Sequence, residues 1–131
     1  MFHARSALRV LVVEDDPSLR AVYKAALTVA GFIVAAVEDG VDALRYIERH
    51  TPAAIVLDLA LPRLGGRDVQ RELASAPITR DVPIVVVTGS EAADLDESKF
   101  ACVLRKPIDP ETLFEQVEKC TRRARGASPS Y

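Results

Sequence analysis

Ala53-Ala54-Ile55-Val56-Leu57-Asp58 is a run of five apolar residues closed by an acid. Three of the five are large, and two of those are β-branched. That is the composition of a strand buried on both faces, as in the middle of a parallel sheet. Asp58 then sits at the carboxyl end of its strand, where open α/β sheets place their ligands. Burying a carboxylate without a partner is costly. One reading makes Asp58 a cap for the turn into Leu61-Pro62, and the other makes it functional. The ends of the other apolar runs bear on the choice.

Upstream, Leu8-Arg9-Val10-Leu11-Val12-Val13 runs directly into Glu14-Asp15-Asp16. Asp16-Pro17 is a helix start, with Asp16 as cap and Pro17 at the first helical position. The helix places Leu19, Val22, Tyr23, Ala26, Leu27 and Ala30 at helical spacing and ends at Gly31. Asp16 therefore has a structural task, whereas Glu14 and Asp15 have none. A second strand, Phe32 to Val37, turns through Glu38-Asp39-Gly40 into a second helix ending near His50-Thr51-Pro52.

Downstream of Asp58, Pro62, Gly65 and Gly66 predict an irregular loop, followed by a third helix to about Ser75. Val82 to Val87 is a fourth strand that ends in Thr88. Glu91 to Ser98 is acidic and poor in apolar residues, which predicts a short or loose helix. Phe100 to Leu104 is a fifth strand, followed by Arg105-Lys106-Pro107. Asp109-Pro110 opens a last helix with Leu113, Phe114, Val117 and Cys120 inward, fraying through Arg122 to Arg125. Strand and helix alternate five times, which implies a doubly wound parallel sheet with right-handed crossovers.

The composition excludes several classes. At 131 residues the chain is one domain, and 49% hydrophobic residues suffice for a core. A net charge of -2 argues against direct nucleic-acid binding. No run approaches membrane-spanning length, and Met1 to Ser6 lacks a secretory signal, so a cytoplasmic protein without membrane contact is expected. Cys102 and Cys120 stand in apolar contexts and read as small hydrophobes rather than zinc ligands or a disulfide. The GxxxxGK[ST], GxSxG and HExxH patterns are absent, and His3 and His50 lie away from the strand ends.

In a parallel sheet the ends of strands one, three, four and five share one edge. Glu14, Asp15, Asp58, Thr88 and Lys106 therefore converge. Three carboxylates held close repel and raise one another's pKa. Lys106 offsets part of that charge, and a hard divalent cation such as Mg²⁺ would offset the rest. Carboxylates serve as nucleophiles that form aspartyl phosphates. A metal, a lysine and a hydroxyl can stabilise an incoming phosphoryl group.

Val13-Glu14-Asp15-Asp16-Pro17, Leu57-Asp58-Leu59-Ala60-Leu61-Pro62, Val87-Thr88-Gly89 and Lys106-Pro107 together resemble the motifs of the response-regulator receiver domain of two-component signalling. The resemblance runs from about Leu8 to about Arg123. It implies a receiver domain over 1–125 with a flexible tail over 126–131. It also implies the flavodoxin-like (βα)5 fold with strand order 2-1-3-4-5. Asp58 would accept a phosphoryl group from a phosphohistidine on a sensor histidine kinase or a histidine phosphotransfer protein. Mg²⁺ would be held by Asp15, Asp58 and the Ala60 carbonyl, with Glu14 acting through a water. Thr88 and Lys106 would hold the phosphoryl oxygens. Such proteins are not dedicated turnover enzymes, but they catalyse their own phosphorylation and a slow self-hydrolysis. A monomer or weak dimer that signals to a downstream protein is expected.

Two departures from the family pattern stand out. The switch position three before Lys106, usually aromatic, is Val103. The stretch from Thr88 to Lys106 is about one helical turn short, and the deficit falls in Glu91 to Ser98. In addition, Ala60 and Ser90 are small residues flanking the site, which predicts a phospho-form open to attack. The resemblance leaves three readings: a stand-alone phosphoryl-accepting receiver that switches or relays a signal, a non-switching interaction module on the same fold, and the receiver fragment of a longer multidomain regulator. An unrelated enzyme on the fold, such as a flavin or phosphatase protein, is a more distant rival.

Overall fold

The computed structural model describes residues 8–89 and 95–126, with the side chains of 125 and 126 left aside. Five parallel strands form one sheet in the order β2-β1-β3-β4-β5. They are β1 (Arg9–Val13), β2 (Ile33–Val37), β3 (Ala54–Leu57), β4 (Ile84–Thr88) and β5 (Cys102–Arg105). The helices are α1 (Pro17–Val29), α2 (Gly40–Arg49), α3 (Gly66–Ala74) and α4 (Pro110–Gly126). The flavodoxin-like order inferred from the motifs is the observed one.

Successive residues of a strand face opposite sides of the sheet. Val10, Val12, Ala54, Val56, Val85 and Val87 therefore face one layer, where Tyr23 and Leu27 of α1 and Leu113 and Val117 of α4 cover them. Leu11, Val13, Ile55, Leu57, Ile84 and Val86 face the other, beneath Ala43 of α2 and Val69 and Leu73 of α3. Every residue of β3 and β4 is buried, which is why these strands read as unbroken apolar runs. The register sets Leu11 beside Ala35 on one side and Ile55 on the other.

Helix α1 begins as its sequence predicts. Asp16 Oδ1 accepts hydrogen bonds from the amides of Ser18 at 2.9 Å and Leu19 at 3.1 Å. Gly31, at φ 106°, takes the left-handed conformation that turns the chain into β2. Loss of the cap in Asp16→Ala is expected to cost about 1 kcal/mol, read as a lower thermal midpoint. Asp16→Asn keeps the acceptor and should melt within a few degrees of the wild type, roughly the shift a few tenths of a kcal/mol produces.

The crossover from β4 to β5 has, in its described part, the short and irregular helical structure that the sequence predicts. Residues 90–94, including Ser90 and the first half of the expected loose helix, lie outside the described residues. Beyond them the chain makes a three-residue 3-10 turn, Glu97–Lys99, tied to the end of β5 by an ion pair between Arg105 and Glu97 at 3.3 Å. The last helix differs from expectation: Arg122 to Arg125 stay helical, and α4 runs to Gly126. Burial of Cys120 and Thr121 anchors its final turns, and positive charge suits a helix carboxyl end. The rest of the expected tail, 127–131, lies outside the described residues. Among the described residues no helix is long and apolar enough to cross a membrane.

Candidate functional site

The strand order reverses between β1 and β3, and a doubly wound sheet opens its ligand crevice at such a switch point. The acids that close those two strands meet there. Backbone pairing continues one residue beyond each strand: the Glu14 amide donates to Val37 O, and the Asp58 amide to Val13 O, each at 3.1 Å. Both carboxylates are thereby held at the sheet's edge. Glu14 is 1% exposed and Asp58 3%, so neither is dispersed by water. Asp15, between β1 and the α1 cap, is exposed.

Lys106 joins the two buried acids. Its Nζ lies 3.1 Å from Glu14 Oε1 and 3.2 Å from Asp58 Oδ2. The Lys106 amide donates to Thr88 O at 2.7 Å, which holds the ends of β4 and β5 together. Thr88 is fully buried at the end of β4. Asp58 Oδ1 accepts the Ala60 amide at 3.1 Å, so the first turn of the adjoining loop is bonded to the carboxylate itself. All five residues picked out from the strand ends come to one place, and Ala60 stands beside them.

One lysine does not balance three carboxylates. Burial pushes Glu14 up from 4.5 to about 7, against the pull of the Asp16 amide, and the Asp58 charge adds to the rise. Burial draws Lys106 down, but Glu14 and Asp58 outweigh it and hold the ammonium above its usual pKa. Glu14 Oε2 accepts the Asp16 amide at 3.2 Å. The buried Oε1 has Lys106 at 3.1 Å and, among the described residues, no hydrogen bond of full geometry. Glu14, Asp15 and Asp58 each offer an oxygen within 4.8 Å of the others. Three carboxylate oxygens this close, with a single lysine beside them, make a hard, all-oxygen set that fits a divalent cation of the Mg²⁺ kind.

Three supporting residues were not legible as part of the site. Arg20 Nη1 donates to the carbonyls of Glu14 at 3.0 Å and Asp15 at 3.4 Å, bracing the acidic turn from α1. Arg20 stands one helical turn after Asp16, a spacing that could have flagged it. Tyr23 reads from its spacing as core, and it is buried; burial and the Glu14 charge raise its phenol pKa. Arg63, on the loop after Asp58, reaches across to Asp39 at the start of α2. Val103 pairs with Val86 across the sheet and packs, partly buried, against the α2–α3 core.

Comparison with known proteins agrees with this geometry. The family model of the response regulator receiver domain matches residues 10–118. Response regulator MprA of Mycobacterium leprae (strain TN) is 35% identical over 123 residues, covering 90% of this chain and 53% of the relative. The chain thus spans about half the length of the curated relatives it matches. A solved sensor protein from Polaromonas sp. JS666 superposes with a TM-score of 0.82 at 29% identity, covering 89% of this chain and 98% of that one. The receiver domain of sensor histidine kinase PA1611 from Pseudomonas aeruginosa PAO1, solved with magnesium coordinated in its active site cleft, superposes with a TM-score of 0.79. It is 30% identical and covers 88% of this chain and 98% of its own. The fold and the acidic edge define a receiver-type signalling module. The chain belongs to the response regulator receiver domain family.

Proposed function

We propose that this chain is a phosphoryl-accepting receiver in which Asp58 is the nucleophile. The observation that carries the reading is Lys106 Nζ set 3.1 and 3.2 Å from two buried carboxylates that end β1 and β3. Mg²⁺ would be held by Asp15, Asp58 and the Ala60 carbonyl, with Glu14 acting through a water. When bound, it offsets negative charge on the phosphoryl oxygens. The donor is a phosphohistidine on a histidine kinase or a phosphotransfer protein. An Asp58 carboxylate oxygen attacks phosphorus, the P–N bond breaks, and the imidazole nitrogen keeps the electron pair. Lys106 and Thr88 hold the phosphoryl oxygens as the bond to Asp58 forms. Water later hydrolyses the acyl phosphate, and the exposed, small Ala60 leaves a path for it. The chain therefore works as a switch or relay rather than as a turnover enzyme, in the cytoplasm, through contacts with a downstream protein.

Val103 favours a second reading for the output. A valine packed beneath the sheet edge has no ring to swing, so phosphorylation would leave the β5 face unchanged and the module would act by constitutive binding. Amide exchange near Phe100 to Leu104, compared with and without phosphorylation, separates the two. The length of the relatives supports placing this chain, in a longer regulator, as the receiver portion.

The deciding experiment is intact mass after incubation with a small-molecule phosphodonor, with and without Mg²⁺, for wild type and Asp58→Asn. The expected result is a single added phosphoryl group that requires Mg²⁺ and is missing from the variant. No adduct on the wild type at short times and low temperature would overturn the reading.

A further inference from the structure

The loop after Asp58 is fastened to the start of α2. Arg63 Nε donates to Asp39 Oδ2 at 2.8 Å, and Arg63 Nη2 lies 2.7 Å from the same oxygen. Nη2 also reaches Asp42 Oδ1 at 3.4 Å. Asp39 is 4% exposed. Its other oxygen caps α2, accepting the Asp42 amide at 2.8 Å. Beside this pair Gly40 lies flat against Leu64, so close that a Cβ on Gly40 would stand 2.0 Å from the Leu64 carbonyl oxygen. Arg63 itself has φ 64°, a conformation disfavoured for a residue with a side chain, which its surroundings must hold in place. Glu38, Asp39 and Asp42 bring carboxylate oxygens within 4.8 Å of one another. The guanidinium offsets that repulsion from the loop side.

We infer that Arg63 and Asp39 form a latch that positions the 59–64 loop, and that they are positioning residues for the Mg²⁺ site. Ala60 lies on the latched loop between Asp58 and Arg63. Its amide is bonded to Asp58, and its carbonyl is the group assigned to the metal. Releasing Arg63 frees the loop to turn that carbonyl away, although neither Arg63 nor Asp39 touches the metal. The inference rests on the Mg²⁺ site of the proposed function. It adds two residues that the acidic motif does not contain.

The test is Mg²⁺ titration by calorimetry on wild type, Arg63→Ala, Asp39→Asn and the double variant. Amide exchange of residues 59–64 is measured alongside in metal-free protein. Asp39→Asn keeps an oxygen for the α2 cap and removes only the charge. Each single variant is expected to weaken Mg²⁺ by about tenfold. The double variant should be no weaker than either single one, because the two residues act as a unit. Exchange in the loop should rise while α1 stays protected, a pattern that a general loss of fold would not produce. Arg45→Ala, which removes only an exposed ion pair with Asp42, should bind as the wild type does. Variants that bind Mg²⁺ as tightly as wild type, or effects that add in the double variant, overturn the latch alone. Wild type that takes up no Mg²⁺ overturns the site reading and the latch with it.

Discussion

Between about pH 5 and pH 8 the metal-free protein should lose unfolding free energy on the order of 3 kcal/mol, and Glu14→Gln should remove most of that loss. Burial sets the direction. The folded protein holds the Glu14 proton up to about 7, whereas a solvated glutamate releases it near 4.5. In that interval the folded state binds more protons than the unfolded one, so stability falls as pH rises. The contribution is fully present below about 4.5 and lost once the pH has risen through about 7. Each unit of the rise is worth about 1.4 kcal/mol, which sets the size of the loss. Other shifted groups act elsewhere. Asp39, Asp96 and Asp109 are lowered from 3.8, so what they contribute is lost only as the pH falls into the acid range. Lys106 is raised above 10.5, and its contribution is lost only in strong base. Urea midpoints across the interval, with chelator and then with saturating Mg²⁺, provide the check. Mg²⁺, held as proposed above, would favour the ionised form and should flatten the profile. A flat profile in chelator would mean that Glu14 is already charged at neutral pH.

Gly66→Ala should destabilise the protein by about 3 kcal/mol and lower its thermal midpoint by roughly 10 °C. Two effects oppose one another. Alanine favours a helix over glycine by about 1 kcal/mol, and Gly66 is the first residue of α3. Its missing side chain, however, is where the chain doubles back on Asp58 and Leu59. A Cβ would stand 2.5 Å from the Asp58 carbonyl oxygen and 2.7 Å from Leu59 Cα. Those are backbone atoms of the segment leaving β3, and they cannot swing aside as a side chain could. The clash therefore outweighs the propensity gain, and its relief must move Asp58. A thermal melt reads the stability, and the rate of phosphoryl uptake reads the displacement. A variant as stable as wild type would mean that α3 can slide away from β3 without loss.

Much of this could be read from the chain because the sheet is parallel. Parallel strands are buried on both faces, so each announces itself as an apolar run. The residue that closes each run must then stand at the common edge, which is how Glu14, Asp58, Thr88 and Lys106 could be brought together without coordinates. The Asp16 cap was legible for a similar reason, since its partners are the next few amides. The Arg63–Asp39 pair was not, because its members belong to separate loops and neither closes an apolar run. Nor could Gly40 be paired with Leu64 in advance, since a glycine after Glu38-Asp39 reads equally well as a plain turn. The arginines near the end of α4 suggest fraying, whereas the burial of Thr121 beside Cys120, which keeps those turns in place, has no counterpart in local hydropathy.

The order in which the site's charges occur along the chain has a consequence for synthesis. Proteins emerge amino end first and fold in part as they do so. A nascent chain that reaches only as far as Thr88 has already brought out Glu14, Asp15 and Asp58, but not the lysine that later lies between two of them. The half-finished sheet therefore carries these acids at its carboxyl edge before the lysine that joins two of them has been made. Lys106 arrives with β5, the outermost strand beside β4. The last strand thus completes the sheet and, in the same step, brings in the lysine that joins Glu14 and Asp58.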